Sequence, residues 1–540
     1  MMKRRLLVAA AVLAMLALFA AVALVRLANR SLAGSRQQFE SQLTARLGRP
    51  VHVGRVGVGW RGGLGIDLDD VVVDESAAPG ASPIVRAASV GLTVAFWPLF
   101  TDRELAFDVT VRQPEFQFVR STSGVWNYAG LGRPDAGAPP AKAQVPATPP
   151  APPTPGAASA PGAAIAVVLR EARIVAGSAE IRDLAATPPR NHRLTEIDVT
   201  VQDVGTLAPT RFSVAAAIDA ATRNLSLDGT AGPFFDAARI PVDVRGRIGP
   251  LGAQGLTIDD LRGKATWTPA AVEIDTLDGR TFGGTVHASG TVPIDSRTPI
   301  ALTTTFTALD LARLAPLADP ALSGRLSGAV DGHADLHFRA DSVRTLRASV
   351  TGSAELHARD AVLHRFNIAT EVVDDISDVP GLGDLVSART RSKYTHLFNT
   401  SATRVSRADT TMRVADESVT LDHCTVSAPQ FSLDATGTVT FDLIADLSGV
   451  LSLSAPVSAD IANDVKLAAV LRDENGEMSL PWTLRGRLGQ ALPQAETAAI
   501  ARLVARGVGR NAPADVLNPV VRGLDRAGPI GQALKGLLGR

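Results

Sequence analysis

Apolar and polar residues alternate along most of this chain. In residues 322–340 the even positions include Leu322, Leu326, Val330, Ala334, Leu336 and Phe338, with glycines between them. The odd positions include Arg325, Asp331, His333, Asp335 and His337. Residues 431–443 repeat the pattern, setting Phe431, Leu433, Val439, Phe441 and Leu443 against Ser432, Asp434, Thr436, Thr438 and Asp442. So do residues 282–294, with Phe282, Val286, Val292 and Ile294, and residues 348–358, with Val350 and Leu356. Successive side chains of a strand point to opposite faces, so period two predicts a sheet with one apolar and one polar face. Nearer the start, residues 51–58, 65–73, 89–96 and Glu104–Arg120 also read as strands.

Helical periodicity is scarce. Phe39, Leu43 and Leu47 recur every four residues in Arg36–Leu47, which Gly48 and Pro50 then end. Residues 308–317, 370–388 and 457–465 are short helical candidates. After Pro493 the pattern changes to helices at 495–510, 515–524 and 530–538, with a net basic balance. Such a basic tail lies on a membrane or docks on its own domain. An apolar sheet face has to be covered, and these helices are too few for so much sheet. The sheet therefore packs on itself or curls round something apolar that is not protein.

One stretch is apolar throughout. Residues 6–25 carry no charge and include Leu6, Leu7, Leu13, Leu16, Leu18, Phe19 and Val25. As a helix this run matches the roughly 30 Å hydrocarbon core of a bilayer. Lys3, Arg4 and Arg5 precede it, so the short N-terminus is expected in the cytoplasm and the rest across the membrane. Ala21-Val22-Ala23 offers the competing reading of a cleaved signal peptide, whose apolar region is usually shorter. Residues 134–163 are dominated by Pro and Ala and read as a solvated linker. The expected organisation is a stub and anchor (1–27), a helix-plus-β unit (28–133), the linker (134–163), a long β region (164–490) and a basic helical tail (491–540).

Composition narrows the chemistry. Lys plus Arg and Asp plus Glu each number 54, so no global field favours nucleic acid. The single cysteine, Cys424, forms no internal disulfide and reads as a small buried apolar residue. Gly57-Val58-Gly59-Trp60-Arg61-Gly62 has the spacing of a dinucleotide fingerprint, but turn and strand sequence follows where a helix is required, so it reads as a β-turn. His333 and His337 on one strand lie about 13 Å apart, too far to share one metal ion. Asp374, Asp375, Asp378 and Asp384 lack the spacing of a calcium loop. No catalytic set, metal site or cofactor site is assigned, and no enzymatic activity is expected.

Three stretches resemble the AsmA family of envelope proteins. Leu47-Gly48-Arg49-Pro50-Val51 follows the N-terminal helix as in the family's opening. Val109–Phe116 followed by Gly124-Val125-Trp126-Asn127-Tyr128 is similar to a second family segment. Residues 346–367 resemble a third, with Asp360-Ala361 where Asp-Gly is usual, and residues 432–441 and 481–486 continue it. The resemblance implies a mainly β protein: an N-terminal transmembrane helix, a long curved antiparallel β-sheet with an apolar groove, few short helices and a helical C-terminal tail. It further implies a single-pass inner-membrane protein with its bulk in the periplasm, which binds or transfers membrane lipid, phospholipid above all. Such a protein supports outer-membrane assembly and meets other envelope proteins. The groove would be lined by the alternating residues named above. The rival reading is a non-enzymatic scaffold whose sheets close into dry sandwiches. If the anchored topology holds, a reporter active only in the periplasm will be active when fused after Arg540, and alkaline carbonate will leave the protein in the membrane. Full release by carbonate would defeat the anchor.

Overall fold

The computed structural model describes residues 36–60, 64–76, 82–95, 104–129, 131, 166–185, 189–204, 208–234, 238–251, 255–295, 297–339, 343–376, 382 and 385–511, and in them most of the alternating sequence forms strand. The expected anchor with Leu6, Leu7, Leu13, Leu16, Leu18, Phe19 and Val25, the Pro/Ala segment and the end of the tail lie outside the described residues. Among the described residues no helix is long and apolar enough to cross a membrane. The protein is mainly β, with antiparallel sheet and few helices, and divides into two compact units, residues 1–269 and 270–540.

The first unit begins with helix α1 (Arg36–Leu47), as the four-residue repeat predicts. Ten strands follow: β1 (Val51–Trp60), β2 (Leu64–Asp74), β3 (Pro83–Ala95), β4 (Glu104–Arg120), β5 (Ala166–Asp183), β6 (Arg190–Val204), β7 (Thr210–Ile218), β8 (Leu225–Ala231), β9 (Ile240–Leu251) and β10 (Leu256–Trp267). Each pairs with its sequence neighbour, antiparallel except for β4 with β5. That parallel joint runs the length of both strands although the Pro/Ala segment separates them in sequence. Gly57, Val58, Gly59 and Trp60 of the glycine-rich stretch lie in β1, where Trp60 pairs with Leu64 of β2, and residues 61–63 lie outside the described residues. A strand follows, so no helix N-terminus is available to hold a pyrophosphate.

Helix α1 supplies hydrogen bonds as well as packing. Val51 N donates to Thr44 Oγ1 and Val53 N to Glu40 Oε1, at 3.0 and 2.9 Å, so α1 engages the outer edge of β1. Leu43 joins the buried core of β1–β4. The first two resembling segments meet here. Arg49 donates from Nη2 to Ala129 O at 2.8 Å, just beyond the Gly124–Tyr128 stretch. Asn127 clips that stretch to β4, its amide donating to Gln117 O and accepting from Val119 N. The Trp126 and Tyr128 rings stack with centroids 5.4 Å apart.

Strict alternation would carry a long twisted strand's apolar face away from the core. The chain corrects this with single residues of positive φ: Asp70, Gln113, Ala176, Glu196 and Asp260 in this unit. At Asp70, Gln113, Ala176 and Glu196 the buried set changes parity, for example Ile66 and Leu68 before Asp70 and Val71 and Val73 after it. An extra residue inserted at a bulge has this effect. Gly54 of β1 lies against Asp70, where a Cβ would come within 2.9 Å of the Asp70 Cβ.

The second unit holds β11 (Ala271–Thr281), β12 (Gly284–Pro293), β13 (Ile300–Asp310), β14 (Leu326–Phe338), β15 (Thr351–His364), β16 (Ala402–Ala415), β17 (Ser418–Ser427), β18 (Phe431–Thr440), β19 (Ile444–Leu453), β20 (Met478–Arg487) and the short β21 (Gln494–Ala495). All pair antiparallel in sequence order. Ala308 and Asp360 are its mid-strand positive-φ residues, and the Ala308 N–H is capped by Asp331 Oδ1 at 2.7 Å. Helices are α2 (Leu311–Ala318), α3 (Val343–Ser349), α4 (Ile368–Asp375), α5 (Ala388–Lys393), α6 (Thr395–Phe398), α7 (Ala455–Asp464) and α8 (Thr497–Asn511), with a 3-10 turn at Lys466–Leu471. The helix read over 370–388 is therefore α4 and α5, with residues 377–381 and 383–384 outside the described set.

Glycine spacing on this sheet reflects close approach of neighbouring strands. Gly352 has φ +151°, and a Cβ there would lie 1.9 Å from Asp335 O of β14. Gly352→Ala is expected to lower stability by about 2 kcal/mol or more, read as a fall in the urea midpoint. An unchanged midpoint would show that β14 and β15 separate freely at this point.

A half-covered apolar sheet face

The second unit's apolar face has two regimes along one sheet. Over β18–β20 it is sealed. Phe431, Leu433, Leu451, Leu453, Leu480 and Trp482 are buried in a single core with residues of α4, α6, α7 and α8. Polar side chains lock this cover. Ser458 Oγ of α7 donates to Leu453 O and accepts from Met478 N, pinning the helix to β19 and β20 at 2.8 and 2.9 Å. Asp464 accepts from Ser387 and Thr390 at 2.5 and 2.6 Å, and Asp460 accepts from Tyr394 Oη at 2.6 Å, tying α5 to α7. Asp375 of α4 accepts from Ala495 N at 2.8 Å, and Asp374 pairs with Arg391. Those two carboxylates thus serve the helical cover, and Asp378 and Asp384 lie outside the described residues.

Among the described residues β12–β16 carry no helical cover of comparable extent, only α2 against β13 and β14 and α3 against β14. Register lines up Val286, Phe306, Gly332, Leu356 and Thr410, ending at Cys424 of β17. A parallel row joins Leu302, Leu336, Gly352, Val414, Val419 and Val439. These side chains are half-buried, and none of those on β12–β16 belongs to a buried cluster. Gly332 makes room for the Phe306 ring, which would stand 2.6 Å from a Cβ there. Val330 is the most buried of the candidates on this stretch, at 5% exposure. Val292, Leu326 and Phe338 are half-buried on the same strands.

Other residues read as lining this face are placed elsewhere. Phe431 and Leu433 belong to the sealed core, because α4 to α8 come from distant sequence to cover them. Strand β18 ends at Thr440, so Phe441 sits in a turn beneath the Arg347 guanidinium, 5.8 Å from its ring centroid, and Leu443 adopts φ +61°. Phe282 occupies the β11–β12 turn with φ +49°, and Ile294 follows β12 half exposed. Leu322 closes a 3-10 turn, and Val350 precedes β15 with its N–H bonded to Leu346 O. In each case alternation continued past the true strand end. Phe306, Leu302 and Val414 were missed, although alternation in residues 300–306 and 408–414 carries the signal.

Burial pushes the Cys424 thiol up, and it accepts a hydrogen bond from Thr410 Oγ1 at 3.3 Å. A raised thiol makes a poor nucleophile at neutral pH. The polar face carries paired charges: His287 with Asp278 at 2.7 Å, His333 with Asp335 at 3.0 Å, His357 with Asp409 at 2.6 Å and Arg413 with Asp422 at 2.5 Å. His333 thus turns to a neighbouring carboxylate, and His337 is exposed on the same face. Among the described residues no group of His, Cys, Asp and Glu is arranged to hold a metal ion. The site is therefore defined by a surface: an apolar sheet face that, among the described residues, is sealed by helices at one end and only partly buried along the rest. Set against protein-family models, curated proteins and solved structures, the chain matches none of them.

Three carboxylates of the polar face titrate low. Thr303 and then His333 hold Asp335 below the usual range, Arg407 and then His357 do so for Asp409, and Arg413 for Asp422. A depressed folded-state pKa stabilises the fold above the unfolded value, near 3.9, and that contribution is lost as pH falls through the folded one. The urea midpoint should change little down to about pH 5 and fall below about pH 4. Asp409→Asn should make that acid fall shallower; an identical acid limb would remove Asp409 from the effect.

Proposed function

We propose that this protein binds and transfers membrane lipid, the bare apolar face of β12–β16 forming a groove that shelters acyl chains. The carrying observation is the contrast within one unit. The same alternation that is buried under helices at β18–β20 is only partly buried over much of β12–β16. Contiguous apolar surface that keeps some exposure marks binding surfaces more often than ordinary ones. Each methylene sheltered there contributes about 0.8 kcal/mol, so several turns of acyl chain are held without specific polar contacts. No group transfer is involved; the protein is read as a carrier rather than an enzyme.

In this reading residues 6–25 anchor the chain in the inner membrane, the bulk lies in the periplasm, and lipid moves toward the outer membrane. The support for that setting is the charge-free apolar run behind Lys3, Arg4 and Arg5, together with the AsmA-like segments. The scaffold reading, with the face closed against protein, makes the opposite forecast for one pair of variants. Leu356→Asp, on the bare face, should keep the thermal midpoint within a few degrees and sharply reduce co-purified lipid. Leu451→Asp, in the sealed core, buries an unpaired carboxylate and should cost about 3 kcal/mol or more of stability. If Leu356→Asp unfolds the protein as Leu451→Asp does, and the parent carries no lipid, the face is a dry core and the scaffold is favoured.

A further inference from the structure

At the seam between the sealed and bare parts of the face lies a cavity of about 290 Å³. Its walls come from the helical cover (Asn367, His396, Leu397), the start of β16 (Ala402, Thr403, Arg404) and the turn into β18 (Pro429, Gln430, Phe431). The buried floor is Leu397 and Phe431. Its two buried polar side chains are already saturated. Asn367 Nδ2 donates to Leu397 O and Thr400 O, and its Oδ1 accepts from Thr370 N. Thr403 Oγ1 donates to Phe366 O and accepts from Ile368 N. Neither has a donor left for a guest.

The rim differs. Arg404 and His396 are exposed, and among the described residues the guanidinium and the imidazole have no hydrogen-bond or ion-pair partner. The other arginines of β16 behave otherwise: Arg407 pairs with Asp409 and Arg413 with Asp422. An uncommitted guanidinium over an apolar floor is complementary to an anion carried on an apolar stem. The planar fork of Arg suits the oxygens of a phosphate or carboxylate, and the floor takes the first methylenes.

We propose that this cavity is an anionic-headgroup site, in which Arg404, assisted by His396 and the Gln430 amide, holds the charged end of an amphiphile whose chain runs onto the bare face. This rests on the lipid-binding reading above and adds to it a charge preference and a fixed end to the groove. It distinguishes the seam from the face itself, which has no charge with which to choose among headgroups.

The test uses the full chain in mild detergent and two short-chain probes below their micelle concentrations, dihexanoyl phosphatidylglycerol and dihexanoyl phosphatidylcholine, with inorganic phosphate as competitor. The parent should bind the anionic probe about tenfold more tightly than the zwitterionic one. Arg404→Gln should weaken phosphatidylglycerol binding more than phosphatidylcholine binding and so abolish that preference with the thermal midpoint unchanged, and Arg404→Lys should restore part of it. Inorganic phosphate should fail to displace phosphatidylglycerol, because it has no stem for the floor. A preference that survives Arg404→Gln overturns the site, and so does displacement by phosphate alone, which would mark a simple anion pocket. Equal binding of both probes, lost in Leu356→Asp, would leave the groove standing and remove the headgroup site. Binding of neither probe would remove the lipid-binding reading and the headgroup site with it.

Discussion

The rest of the structure depends on a constraint peculiar to sheets. Backbone pairing satisfies every interior strand, but it does nothing for the apolar face, which still has to leave water. The first unit meets this by keeping its strands' apolar sets in register with two cores, one under α1 and β1–β4 and one over β4–β7. The second unit meets it with helices over β18–β20 and, among the described residues, leaves β12–β16 without comparable cover. The proposed function rests on where that cover stops.

Keeping an apolar face on one side of a 15- to 18-residue strand is itself a problem, since β5 and β6 are far longer than typical strands. Residues in the left-handed region solve it by resetting the parity. The conformation strains any residue with a Cβ, so it persists where neighbours compensate. Ala176 N donates to Asp198 Oδ1 at 2.8 Å, and Ala308 N donates to Asp331 Oδ1 at 2.7 Å. In both cases a carboxylate from the adjacent strand accepts from the displaced N–H. The charged outer face therefore helps to hold the line of the apolar inner one.

This explains which parts of the fold can be read from residues alone. Alternation in residues 322–340 and 431–440 is local and marks the strands Leu326–Phe338 and Phe431–Thr440 but not where the first of them begins, and the four-residue repeat of Leu43 and Leu47 marks α1 with its ends. Parity resets are not legible, because Asp70, Gln113, Ala176, Glu196 and Ala308 share no side-chain type. Nor is the parallel pairing of β4 with β5, which joins strands on either side of a Pro/Ala segment that composition reads as a divider. For the site the limit is sharper. Leu433 and Leu356 look alike in sequence, each apolar between polar neighbours. Only helices more than twenty residues away along the chain make the first a core residue and leave the second half-open.

The same reasoning separates two meanings of a half-exposed aliphatic residue. Scattered singly, such residues are ordinary surface. Here Val286, Phe306 and Leu356 are joined by strand register, and Leu302, Leu336 and Val414 form a second line alongside. A continuous strip costs free energy in water in proportion to its area, and the chain had means to remove that cost, since it builds helices over the neighbouring strands. In the proposed reading, the partly buried strip beside an efficient cover takes an occupant outside the chain, apolar along most of its length and negatively charged at the end that meets Arg404.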